Sequence, residues 1–272
     1  MNESLYVVLG AYPAATLATA FVQINLVGGL AILAVALLRI PARRLFGAAQ
    51  AYSLWALPPL AAALTFIVHV ARGPADPAIF AVDSDLLAVG GAIWAVGAAI
   101  VTLVFAVSQA RFLREVDAGR GGPAVVGLIS PRIVMPADDA GYTPAERELI
   151  RAHEREHVGR KDPRAVAFTA LWQILCWFNP AIHLAASLIR LDQELACDAA
   201  VVMARPGSRA LYARTLLKTQ LAATPLPLGC YWPARGQHPL EVRIGALKRQ
   251  GPDLPRGAGG AVVAATVDAI RP

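Results

Sequence analysis

The sequence predicts a mainly α-helical membrane protein: three transmembrane helices, then a charged helical core with a small β segment and a re-entrant helical hairpin. Three observations carry this expectation. Of 272 residues, 56% are hydrophobic and only 16% charged, whereas an ordinary soluble domain carries about a quarter charged residues. Three runs are long and almost free of charge, and a fourth is divided by Asn179-Pro180. The balance excludes a disordered chain, a disulfide scaffold and a simple cytosolic enzyme.

The net charge of +6 is concentrated in segments flanking the apolar runs, without a basic face interleaved with aromatics. It speaks for orientation in a lipid bilayer and against direct nucleic-acid binding. Cys176, Cys197 and Cys230 form an odd set without C-x-x-C spacing, so no disulfide framework is expected.

A span needs about 20 mostly apolar residues. Ser4 to Leu38 is free of charge, and Pro13 separates an interfacial start from a span at about residues 14–38. Leu45 to Ala71 is interrupted only by His69; its span covers about 46–71, and Pro58-Pro59 predicts a kink. Leu86 to Ala110 gives the third, about 86–110. The first connection holds Arg39, Arg43 and Arg44, whereas the second sets Arg72 against Asp76, Asp83 and Asp85. Arg111, Arg114 and Arg120 follow the third run. By the positive-inside rule the N-terminus is outside and the chain after Ala110 begins in the cytoplasm. The expected division is a transmembrane region at 1–112, a cytoplasmic core at 113–250 and a Gly/Pro-rich tail at 251–272.

The core contains a chemical motif. Thr143-Pro144-Ala145-Glu146 reads as a helix start, with Thr143 as N-cap, Pro144 at the first position and Glu146 closing a capping box. The helix should end near Gly159, before Asp162-Pro163. Within it, His153-Glu154-Arg155-Glu156-His157 is an H-E-x-x-H motif. Positions i and i+4 share a helix face, so both imidazoles can bind one Zn2+, with Glu154 beside them as general base. The charges of Arg147, Glu148, Arg151 and Arg155 keep this helix out of hydrocarbon.

A catalytic zinc needs a third protein ligand and an open position. Downstream candidates are His183, Asp192, Glu194 and Asp198. Leu191 to Asp198 reads as helix, placing Glu194 and Asp198 on one face. Glu194 can ligate while Asp198 accepts the other N–H of a ligand imidazole. The fourth apolar run, Ala165 to Ile189, must then begin and end on one side of the membrane. Each arm reaches only about 20 Å against roughly 30 Å of hydrocarbon, so a hairpin over 165–189 is expected, turning at Trp177, Phe178, Asn179 and Pro180. His183 on its return arm reads as a satisfied core histidine.

Together these residues resemble the BlaR/MecR-type membrane zinc metallopeptidases, an antirepressor family. His153-Glu154-x-x-His157 with Arg160 and Asp162 is similar to that family's metal helix, and Phe178-Asn179-Pro180 and Glu194 to Val201 to its second and third blocks. Gly127 to Pro136 resembles its short β segment. The resemblance implies one zinc per chain on His153, His157 and Glu194, Glu154 as the catalytic carboxylate, a cytoplasmic proteolytic domain, and a winged-helix transcriptional repressor as protein substrate. Some relatives carry an extracellular penicillin-binding sensor. The last apolar stretch, Ala261 to Ile270, is too short to span and contains Asp268, so a β-lactam receptor role is not expected.

His238-Pro239-Leu240-Glu241-Val242-Arg243-Ile244 resembles a block of the CAAX prenyl protease and heat-shock membrane protease families. In that light His238 is a candidate donor to the oxyanion, with Tyr231 and Tyr212 as weaker ones, and Arg243 anchors the segment or pairs with an acidic group behind the ligands. Ile133-Val134-Met135, bounded by Pro131 and Pro136, can form an edge strand on which an extended substrate adds as a further strand. A structural hairpin is the alternative. The rival functions are a non-catalytic membrane transducer with a structural zinc and a housekeeping membrane protease.

Overall fold

A computed structural model describes residues 14–73, 84–119, 121–135, 141–222 and 239–249. Helix α1 runs over Ala14–Phe46. It continues past Leu38 through Arg39, Arg43 and Arg44, and breaks at Gly47, whose φ of +94° suits a residue without a Cβ. The second apolar run is not one kinked helix. It is α2 (Ala48–Ser53), a 3₁₀ turn at Leu54–Ala56, and α3 (Leu57–Arg72). Pro58 and Pro59 lie in the first turn of α3, where a missing N–H costs no helical bond. Helix α4 covers Ser84–Asp117.

Among the described residues, three segments are long and apolar enough to cross a membrane: Thr16–Phe46, Ala48–Arg72 and Asp85–Asp117. Leu26, Leu30 and Leu37 on α1 and Ile93, Ile100 and Leu103 on α4 are exposed, as lipid-facing side chains must be.

Strands β1 (Ala124–Val126) and β2 (Arg132–Val134) pair antiparallel, with Val125 opposite Ile133. Met135, expected in the strand, lies just beyond its end. Helix α5 (Pro144–Gly159) begins as expected: Thr143 accepts from the Glu146 N–H at 3.2 Å and Glu146 accepts from the Thr143 N–H at 2.8 Å. After Lys161, at φ +61°, α6 spans Asp162–Leu175. The turn expected at Trp177 to Pro180 is present, and Asn179 caps the next helix by accepting from the Ala181 N–H at 3.0 Å.

That helix, α7, runs unbroken over Pro180–Ala204. The hairpin's return arm and the acidic segment at 191–198 are therefore one rod. Helix α7 touches α1, α2, α5 and α6, and is covered further by α9 (Pro239–Arg249); α8 (Arg209–Ala222) packs on α5 and α9. Near the hairpin turn, Ile32 and Val35 of α1 bury against Trp55, Cys176, Ile182, Ala185 and Ile189. At the other end, Leu149 of α5 buries against Val201, Val202, Tyr212, Leu216 and Leu247.

Helix α4 docks on the hairpin by two indole bonds. Trp94 Nε1 donates to the Leu175 carbonyl at 2.8 Å, and Trp177 Nε1 donates to the Trp94 carbonyl at 3.2 Å. Gly97 seats the Trp177 ring, which a Cβ there would overlap.

A buried polar tie joins α1 to α7. Asp192 is 1% exposed. Its Oδ1 accepts from Arg39 Nη1 at 2.9 Å and Arg43 Nη1 at 3.2 Å, and its Oδ2 accepts from Trp55 Nε1 at 2.8 Å. Removing one partner of a buried ion pair leaves the other charge uncompensated, at a cost of about 3–5 kcal/mol. Asp192→Ala is therefore predicted to lower the thermal unfolding midpoint of the detergent-solubilised protein sharply. A midpoint equal to wild type would contradict the clamp's role.

Candidate metal centre

Helix α5 supplies two imidazoles and α7 one carboxylate. His153 and His157 are one helical turn apart, and their Nε2 atoms lie 3.2 Å from each other. Glu194 approaches both, with Oε2 3.2 Å from His153 Nε2 and Oε1 3.5 Å from His157 Nε2. Four-coordinate zinc with bonds of about 2.0–2.1 Å sets neighbouring donors about 3.3 Å apart. The two Nε2 atoms have that spacing, and a Glu194 oxygen lies 3.2–3.5 Å from each.

Each imidazole is held from behind. His157 Nδ1 donates to Asp162 Oδ2 at 2.7 Å, and Arg160 Nη2 donates to the same oxygen at 2.7 Å and to the Gln193 carbonyl at 3.0 Å. Burial opposes ionisation of Asp162, yet the bonds from His157 and Arg160 hold its carboxyl below the ordinary value.

Behind His153 the arrangement differs from expectation. Asp198 was expected to accept from the imidazole directly, but Oδ1 stands 3.5 Å from Nδ1. Tyr212 from α8 is interposed: its hydroxyl donates to Asp198 Oδ1 at 2.6 Å and takes the His153 Nδ1–H at 2.8 Å. A carboxylate can only accept, so the hydroxyl proton goes to Asp198 and its lone pair to the imidazole. Burial, then the charge of Asp198, raises the Tyr212 pKa well above its usual value and keeps that proton in place.

Arg243 of α9 closes the carboxylate side. It grips Asp198 through Nε at 2.8 Å and Nη2 at 2.7 Å, and reaches Glu194 Oε2 through Nη1 at 2.7 Å. Desolvation opposes charge on Glu194, but Arg243 and the two imidazoles hold its carboxyl well below the ordinary range. It is thus an anion ready to ligate. Glu154, only 7% exposed, has its pKa raised by burial against the opposing field of the two histidines.

The charge balance fits a divalent cation. Glu154, Asp162, Glu194 and Asp198 outnumber Arg160 and Arg243, an excess of acidic groups that a cation would offset. A second donor set, His153, His157 and Cys197, also gathers within 4.8 Å. Cys197 Sγ, however, lies 3.4 Å from His157 Nδ1, the nitrogen already given to Asp162. Burial also raises its pKa, keeping a neutral thiol where zinc needs a thiolate. Glu194 is the better third donor.

Of the other expected residues, His183 donates through Nε2 to the Trp177 carbonyl at 2.8 Å and meets Gln173 at Nδ1 at 3.1 Å, inside the hairpin. Asp192 faces α1. Ile133 and Val134 are half-buried in β2, and both strands pack on α5. His238 and Tyr231 lie outside the described residues. Two contributors carry no role assigned from the sequence: Asp162, present there only as part of the motif that resembles the family's metal helix, and Tyr52 of α2. Glu194→Ala is predicted to weaken Zn2+ binding by more than the about 10–100-fold that loss of a supporting partner costs. Chelator competition yielding wild-type affinity would remove Glu194 from the ligand set.

Residues 116–247 match the family profile described as BlaR1 peptidase M56. The chain is 31% identical over 98 residues to regulatory protein BlaR1 of Bacillus licheniformis, covering 35% of this chain and 16% of that protein. It is 31% identical over 77 residues to the methicillin resistance mecR1 proteins of Staphylococcus aureus and Staphylococcus epidermidis, covering 28% of this chain and 13% of each relative. The matched stretch is thus about a sixth or less of the relatives' length. The profile match at 116–247 includes the metal helix and the Glu194 segment, and over that stretch the chain is similar to the BlaR1 peptidase M56 family.

Proposed function

We propose that this protein is a membrane-bound zinc metalloendopeptidase that cuts a protein substrate in a signalling pathway. The observation that carries the reading is the convergence of His153, His157 and Glu194 donors at 3.2–3.5 Å, with Glu154 buried beside them.

His153 and His157 would hold the ion through Nε2 and Glu194 through a carboxylate oxygen. Zinc, when bound, supplies a Lewis acid that activates water and polarises a carbonyl at neutral pH. Glu154 takes the proton from the attacking water and passes it to the leaving amine. Burial raises its pKa, towards the range in which a group both accepts and returns a proton near neutral pH. Tyr212, Asp198 and Arg243 fix His153 and Glu194; Asp162 and Arg160 fix His157.

An extended substrate chain would add to the β2 edge through the backbone of Ile133 and Val134, with Met135 just past the paired stretch. His238, the residue before Pro239 of α9, is offered by resemblance as donor to the oxyanion. The flanking arginines orient the N-terminus outside and the metal centre in the cytoplasm. The relatives' names as regulatory and resistance proteins, together with the family resemblance, support a transcriptional repressor as substrate. An intact Glu154 counts against a purely structural zinc, which needs no base.

Glu154→Gln tests the reading. The variant is expected to keep one zinc per chain by metal analysis and to lose cleavage of an unfolded protein by at least about 10²–10⁴-fold. Cleavage at the wild-type rate would take Glu154 out of the base role.

A further inference from the structure

The support behind His157 does not end with Asp162. Asp162 Oδ1, the oxygen not used by the imidazole, accepts from the Tyr52 hydroxyl at 3.2 Å. Tyr52 belongs to α2, at the elbow between the first two apolar segments. Its hydroxyl in turn accepts from Gln193 Nε2 at 2.9 Å. Gln193 precedes the ligand Glu194, and its carbonyl accepts from Arg160 at 3.0 Å. The Arg160 guanidinium also lies over the Tyr52 ring, 5.1 Å from its centroid. One phenol therefore touches the group that orients the second histidine ligand and the residue beside the carboxylate ligand.

We propose that Tyr52 is a positioning residue of the metal centre, contributed from the membrane region rather than from the matched stretch 116–247. Three features argue for it. Asp162 and Gln193 are each 3% exposed, so water does not readily replace the phenol as their partner. The bonds join residues 110 and 141 positions apart, so they are not a by-product of local chain geometry. The elbow itself is fixed, because Arg39, Arg43 and Trp55 on either side of Tyr52 all bind Asp192, two residues before Glu194. A displacement of α1 against α7 would move Tyr52 off Asp162.

The inference rests on the zinc reading above, and zinc affinity tests it without requiring cleavage. Full-length protein in detergent is loaded with Zn2+ and titrated with a competing chelator. Tyr52→Phe, which removes one oxygen, is expected to bind zinc about 10–100-fold more weakly, while the zinc-free protein melts at the wild-type temperature. A residue that merely props the fold would lower that melting temperature and leave zinc affinity alone. Gln193→Met, which keeps the Tyr52 to Asp162 bond but removes the amide that orients the phenol, provides a second variant and should weaken zinc by less than Tyr52→Phe yet by more than about twofold. Zinc affinity within twofold of wild type in Tyr52→Phe, or in Gln193→Met should Tyr52→Phe fail to fold, overturns the inference while the metal centre stands. A wild type that takes up no zinc overturns both.

Discussion

Helix α7 has to meet two buried charge demands at once, and their angular separation fixes its rotation. At about 100° per residue, Asp192 and Glu194 leave the helix about 200° apart, whereas Glu194 and Asp198 are within about 40°. Asp192 points into the arginines and indole of the membrane elbow. Glu194 and Asp198 point to the imidazoles, Tyr212 and Arg243. Rotating α7 to improve one face would unpair the other. Because an unpaired buried charge is costly and paired ones are not, the two faces hold each other in register.

The same logic explains why the ligands are backed by so many charged groups. The two imidazole Nε2 atoms lie 3.2 Å apart, with one Glu194 oxygen 3.2 Å from His153 and the other 3.5 Å from His157; with both rings neutral and protonated on Nδ1 their lone pairs converge, an arrangement that a cation between them stabilises. Asp162 and the Tyr212–Asp198 pair hold the imidazole rings by their other nitrogens, so the Nε2 lone pairs must face inward. Arg243 limits the excess negative charge by gripping Asp198 and touching Glu194. Each ligand is thereby presented in its metal-binding form by a group on a different element: α6 for His157, α8 for His153 and α9 for Glu194.

What was legible in the sequence was local. The Thr143–Glu146 capping box, the one-turn spacing of His153 and His157, the Asn179-Pro180 turn and the charge-free runs are all set by neighbours a few residues apart. What was missed was long-range. Nothing near Tyr52 distinguishes it from a tyrosine at a membrane interface; its partners are 110 and 141 residues away. Tyr212 was considered as an oxyanion donor, and its place between His153 and Asp198 depends on how α8 packs over α5. The division of α7 into two pieces was suggested by the change from apolar to acidic residues. Helical backbone has no need to stop at such a change, and no Gly or Pro intervenes between Pro180 and Ala204.

The hairpin is what allows a helix rooted among apolar segments to serve a polar centre. Helix α6 has 14 residues, about 21 Å, well short of the roughly 30 Å of hydrocarbon. It is therefore too short to span, and α7 packs back along it. Asp162 stands at the first residue of α6 and Glu194 lies 14 residues beyond Pro180 on α7, so the descending and returning arms bring both residues back to one level. That level is where α5 presents His153 and His157. Equal arms joined at Asn179-Pro180 thus place the group that orients one histidine and the carboxylate that completes the donor set on the same side. The clamp at Asp192, within one turn of Glu194, then ties that level to the end of the first membrane helix.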